Sequence, residues 1–121
     1  MTLALVAVGG ALGALARYGV SRTLEGQAGG FPIATLAVNL SGAFLLGLLS
    51  VLLVNSFEVS PALRTGVNAG FIGAYTTFST LSLEAIMLAQ QGRPGQAAAY
   101  LAISVAGGLT LAWVGQRLAQ G

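Results

Sequence analysis

Residues 73–84 read GAYTTFSTLSLE. Thr76, Thr77, Ser79, Thr80, Ser82 and Glu84 crowd round Phe78 in a chain otherwise dominated by alanine, leucine, glycine and valine. At about 100° per residue these side chains would point all round a regular helix, so no single polar face can collect them. Two local structures accommodate such a run. Either each hydroxyl bonds back to a carbonyl of the preceding turn, or the helix is interrupted. The β-branched and hydroxyl residues after Gly73 have low helix propensity, which favours the interruption.

The surroundings of this stretch belong in lipid. The chain has 121 residues, a mean hydropathy of +0.84, and 55% hydrophobic but only 7% charged residues. A soluble domain carries about 25% charge. Nothing ionisable lies between Glu25 and Glu58, between Arg64 and Glu84, or between Arg93 and Arg117. A transmembrane helix needs roughly 20 apolar residues, and these gaps place spans at about 3–24, 32–54, 62–88 and 97–116. The expected fold is an all-α membrane protein, one four-helix transmembrane domain over residues 1–121. Its third helix is broken near the bilayer centre, where only buried protein or a water-filled cavity can re-satisfy the freed backbone. Arg17 and Arg22 stand at the far end of the first segment, so it lacks the basic start of a signal peptide.

Several function classes drop out. There is no cysteine or histidine, and the three acids are dispersed. No nucleophile–base pair or carboxylate metal cluster can form, so the chain does not read as an enzyme. Five scattered arginines make no nucleic-acid patch.

Charge also bears on orientation. With four spans both termini share one side, together with Arg64 and Arg117; Arg17, Arg22 and Arg93 lie nearest the other. Counting the amino terminus, three positive groups oppose three, whereas orientation is normally set by an imbalance. This pattern fits either a slight bias or a chain that inserts both ways and works as an antiparallel pair.

Polar and small residues mark one stripe on each remaining span. In the first, Gly9 and Gly13 form a face for close helix approach, and Arg17 continues it. Arg17 either snorkels to headgroups or supplies positive potential at the mouth of an anion path. In the second, Thr35, Asn39 and Gly42 share a face. Asn39 is read either as an interhelical hydrogen-bonding group or as a pore amide that meets an anion without repelling it. In the fourth, Tyr100, Ser104 and Gly108 share a face, with Tyr100 either in an interfacial belt or lining a vestibule. Trp113 reads as an interfacial anchor. Three such stripes predict a narrow internal path.

GAYTTFST, with VNAG and GFIG upstream and Glu84 downstream, resembles the core signature of the Fluc family of bacterial fluoride channels. GGALGALARY at 9–18 and ATLAVNLSGAFLLG at 34–47 are similar to that family's first- and second-helix signatures. The resemblance implies a multi-pass protein of the bacterial inner membrane. It further implies an antiparallel, dual-topology homodimer with two fluoride paths and a structural sodium ion at its centre, held by backbone carbonyls of the broken third helices. Carried onto this chain, it makes Phe78 a pore phenylalanine whose positive ring edge faces the anion. Asn39 becomes the pore asparagine, and Thr35, Ser79 and Thr80 become polar lining residues. Glu84 becomes an acid of the inner path, and the carbonyls of Tyr75 and Thr76 become sodium ligands. Tyr100 and Ser104 complete the expected fluoride path, with Arg17 as its vestibule charge. The chain departs from the family at Leu81, where a second phenylalanine is usual, and at Ala34, where glycine is often found.

Two other classes compete with a passive fluoride channel. A small proton-coupled multidrug exporter needs a membrane-embedded acid, normally in its first span, where this chain has none; Glu84 would have to serve. An accessory membrane subunit would leave Asn39 and the TTFST run without a task.

Overall fold

The computed structural model describes residues 1–121 and is all-helical. Helix α1 is Thr2–Leu24 and α2 is Ile33–Asn55. The third rod has two halves. Its first half, α3, joins Pro61–Thr65, a π-helical stretch Gly66–Ile72 and a final turn Gly73–Tyr75. Its second half, α4, is Phe78–Gln90, and the chain finishes with α5, Pro94–Gln120. Four rods are thus long and apolar enough to cross a membrane: α1, α2, Pro61–Gln90 and α5.

The expected spans and the observed rods differ mainly at capped ends. The third rod starts at Pro61 because Ser60 accepts the Leu63 N–H at 3.1 Å and proline occupies the first turn, where its missing N–H is harmless. Pro94 does the same for α5 and moves its start ahead of the expected residue 97.

Only 15 of the 121 residues are buried, so most apolar side chains point outward, as they do when lipid is the solvent. The internal contacts fall into two pairs. On one side α1 lies against α3, and on the other α2 lies against α5. Both are backbone approaches. A side chain at Gly13 would fall on the Phe71 carbonyl of α3, and one at Gly47 would fall on the Ala112 carbonyl of α5. Without water to drive association, such close approach supplies the packing attraction that holds membrane helices together. α4 closes the bundle through Leu81, Ala85 and Leu88, which pack with Leu36 of α2 and with Ala97 and Tyr100 of α5.

The expected stripe on α5 is only partly realised. Tyr100 is fully buried, which rules out a lipid-facing belt position, and the Ser104 hydroxyl is enclosed. Nothing approaches within 4 Å of a side chain built at Gly108, and the α2–α5 contact runs through Gly47 and Gly115 instead. Trp113 is exposed, with the Arg117 guanidinium 5.7 Å from its ring centre.

Replacing Gly13 by leucine should destabilise the bundle by about 1–3 kcal/mol or more, the usual effect of overpacking. Gly19→Leu, on the same helix but with nothing within 4 Å, should leave thermal unfolding in detergent close to that of the unaltered chain. Equal melting of the two variants would contradict the α1–α3 contact.

Candidate functional site: the interrupted helix and its cavities

The interruption falls at Thr76 and Thr77, near the middle of the span Pro61–Gln90. Both residues are extended, with φ/ψ of −85°/159° and −151°/118°. The hydroxyl run serves the two ends differently. The Thr76 hydroxyl donates to the Ile72 carbonyl at 3.1 Å and finishes α3. The Thr77 hydroxyl accepts the Thr80 N–H at 3.3 Å and caps α4. Ser82 bonds back to the Phe78 carbonyl. Both structures anticipated for GAYTTFSTLSLE therefore occur, at different residues.

Asn39 holds the break open. Its Nδ2 donates to the Thr77 carbonyl at 3.0 Å, and its Oδ1 accepts the Thr77 N–H at 2.8 Å. The Thr77 N–H would otherwise bond to the Gly73 carbonyl and continue the helix. Of the two roles open to Asn39, the interhelical bond is made, leaving one N–H of the amide for anything else. Gly42, further along the same face, has the Thr76 methyl where a side chain would begin.

Extending two residues separates the polar ends of two helices. α3 ends with carbonyls that have lost their partners four residues on, and α4 begins with N–H groups in the same state. The Thr76 carbonyl accepts no main-chain hydrogen bond. The start of α4 carries the positive end of a helix dipole.

The other expected site residues divide into two groups. Thr35, Glu84 and Tyr100 come together inside the subunit. The Tyr100 hydroxyl donates to Glu84 Oε1 at 3.3 Å, Thr35 shares a cavity wall with Glu84, and the Phe31 ring meets Tyr100 edge-on at 5.5 Å. Phe78, Ser79 and Thr80 are not drawn into this cluster. They lie on an open face, with Phe78 81% exposed. Leu81 points inward to Leu36 and Tyr100 rather than outward beside Phe78.

Two open cavities lead to the break from the side of the α1–α2 loop. One, of about 360 Å³, has Arg17, Tyr18, Ser21, Thr35, Thr77 and Thr80 on its wall. The other, of about 450 Å³, shares Tyr18, Ser21, Thr35 and Thr80 and adds Arg22, Glu25 and Glu84. Arg17 thus lines a cavity wall. Tyr18 and Ser21 were missed by the sequence reading, although Ser21 follows Arg17 at the same four-residue interval that links Gly9, Gly13 and Arg17.

Over residues 4–116 the sequence matches the family described as CrcB-like protein, Camphor Resistance (CrcB). The chain belongs to the CrcB-like family. It is 46% identical over 121 residues to a protein of Geobacillus kaustophilus named fluoride-specific ion channel FluC 2, covering 99% of this chain and 94% of the relative. It is 47% identical over 111 residues to the fluoride-specific ion channel FluC of Acidobacterium capsulatum, covering 91% and 89%. A FluC 2 of Listeria innocua is 45% identical over 112 residues, covering 93% and 85%. Membership and four membrane-length helices make this CrcB-like chain a multi-pass protein of the bacterial inner membrane.

In this CrcB-like protein, Asn39→Ala would leave both backbone groups of Thr77 unpaired. At about 1–3 kcal/mol for each unsatisfied buried group, the melting temperature in detergent should fall clearly. Ser50→Ala, which removes only a bond back to the Gly47 carbonyl, is the control and should melt as the unaltered chain does. A melting temperature unchanged in Asn39→Ala would remove the amide from the break.

Proposed function

We propose that this chain is a fluoride-specific channel through which the anion leaves the cell passively, down its electrochemical gradient. The observation that carries the reading is the break at Thr76–Thr77. It sets the start of α4, with the hydroxyls of Thr77 and Thr80, on the wall of a cavity that Arg17 also lines and that holds no acid, while the Phe78 ring stands on the open face of the same turn. The relatives' names point the same way. Fluoride is small and strongly hydrated. Replacing its water requires several close donors, and N–H groups, O–H groups and the positive edge of a phenyl ring are such donors.

The working unit in this proposal is an antiparallel homodimer with two paths. Phe78, Ser79 and Thr80 are exposed at membrane depth, as is the Ser41–Tyr75 hydroxyl pair, whose oxygens are 2.9 Å apart. Hydroxyls on a lipid-facing surface are unfavourable, and a second copy is a partner that covers them. The balanced arginines suit a chain inserted both ways. Asn39, Phe78, Ser79 and Thr80 line the path near the break, and Thr35, Tyr100, Ser104 and Glu84 line its continuation.

A sodium ion fits the opposite end of the break. Its ligands would be the carbonyls of Tyr75 and Thr76 from both copies, since unwound carbonyls suit a monovalent cation. Bound there, it supplies positive charge that ties two carbonyl-rich helix ends together. The free Thr76 carbonyl supports the assignment.

The exporter reading has less behind it. Glu84 is the acid it would need, and on the wall of the larger cavity that carboxylate already accepts a hydrogen bond from Tyr100. No relative named above supports it.

Purified protein in liposomes loaded with fluoride should release it on addition of a potassium ionophore, independently of any proton gradient. Phe78→Ile should slow release severely while leaving the dimer intact on size-exclusion chromatography. Fluoride retained by the unaltered protein, or proton-coupled uptake of an aromatic cation, would reject the proposal. Undiminished release from Phe78→Ile would remove the ring from the path.

A further inference from the structure

Most hydroxyls in these helices are internally engaged. Seven donate to a carbonyl of the preceding turn, Thr23 to Gly19, Ser50 to Gly47 and Thr110 to Ala106 among them. This is the ordinary arrangement in a helix surrounded by lipid. The Ser21 hydroxyl departs from it. It bonds to nothing, and it stands on the wall of both cavities that lead to the break.

Its neighbours on the smaller cavity have the same unmatched character. Arg17, one turn earlier on the same face of α1, has no carboxylate partner; the ion pair in the structure is Arg22–Glu25 at 3.9 Å. Across the cavity, Thr80 accepts a hydrogen bond from the Thr77 hydroxyl at 3.1 Å, and its own O–H has no acceptor. Three donor groups, one of them charged, therefore face a space of about 360 Å³ whose wall holds no acid.

We infer that Ser21 is an anion-binding residue of this vestibule, acting with Arg17 and Thr80 to hold a small monovalent anion before it reaches the break. The donor inventory selects the ligand class. In the smaller cavity a cation would meet the Arg17 charge and no carboxylate; Glu25 and Glu84 stand on the larger one, the first paired with Arg22 and the second accepting from Tyr100. A neutral apolar molecule would leave all three donors unpaired. A halide accepts from all of them. Arg17 draws the anion in and the two hydroxyls replace part of its water, so that it arrives at the start of α4 partly desolvated. Ser21 thereby sets the fluoride concentration at which the path fills rather than the rate of the step past Phe78.

The inference rests on the channel reading, and the test separates the two. Fluoride efflux from liposomes is measured over a range of internal fluoride concentrations for the unaltered chain, Ser21→Ala and Ser21→Thr. Loss of one hydrogen bond to an anion should raise the half-saturating concentration roughly 3- to 10-fold in Ser21→Ala with maximal flux retained, and Ser21→Thr should restore it. Bromide soaked into crystals supplies a second readout by its anomalous signal: a site beside Ser21 in the unaltered protein, absent from Ser21→Ala. An unchanged half-saturating concentration in Ser21→Ala, with the unaltered chain conducting, overturns the role of Ser21 alone. Failure of the unaltered chain to conduct overturns the channel reading and this inference together.

Discussion

A main chain in the middle of a bilayer has no water to bond to, so an interruption there persists only if protein groups replace the lost helical partners. Asn39 meets that constraint. One side-chain amide answers both the N–H and the carbonyl of Thr77, the residue through which the helix would otherwise have continued. Thr76 and Thr77 finish and cap the flanking halves with their own hydroxyls. The rest of the site follows from this local solution. Once the helix is held apart, one end offers carbonyls and the other offers N–H groups, partial charges of opposite sign in a chain with only three acidic side chains.

The same constraint explains the pairing of the rods. α1 and α2 are anchored by glycine contacts to α3 and α5 respectively, so that backbone meets backbone without intervening side chains. α4 makes no such contact. It is held by Leu81, Ala85 and Leu88 against α2 and α5, which leaves its opposite flank and its first turn open. The cavities lie along that open side. A tight frame and a laterally exposed half-helix suit the proposed ion path shared between two copies, in which the second subunit supplies the missing wall.

Much of the fold was legible in the residue pattern because lipid imposes a simple one. Long gaps between charges located four rods, and hydroxyls pointing all round the axis located the break to within a few residues. The roles of single polar groups were less legible. Four-residue spacing put Thr35, Asn39 and Gly42 on one face, but it could not say that Asn39 would meet the backbone of Thr77 while Thr35 lined the two cavities. Tyr100 near a helix start could have faced lipid or protein, and only the packing of Phe31, Leu36 and Leu81 around it decides the matter. Ser21 passed unnoticed because an isolated serine in a helix normally bonds back, and nothing in sequence distinguishes one that does not. Leu81 was noted as a missing ring; its inward orientation shows that a larger side chain there would have to be accommodated by the α2–α5 core.

The central claim is that the break and its donors form a selective passive route for fluoride. The most direct test is the reversal potential of currents through the purified protein in a planar bilayer, with a fluoride gradient, opposing chloride and unequal pH on the two sides. The account predicts reversal at the fluoride equilibrium potential, unaffected when the pH difference or the chloride gradient is inverted. Reversal that follows chloride or protons would contradict it.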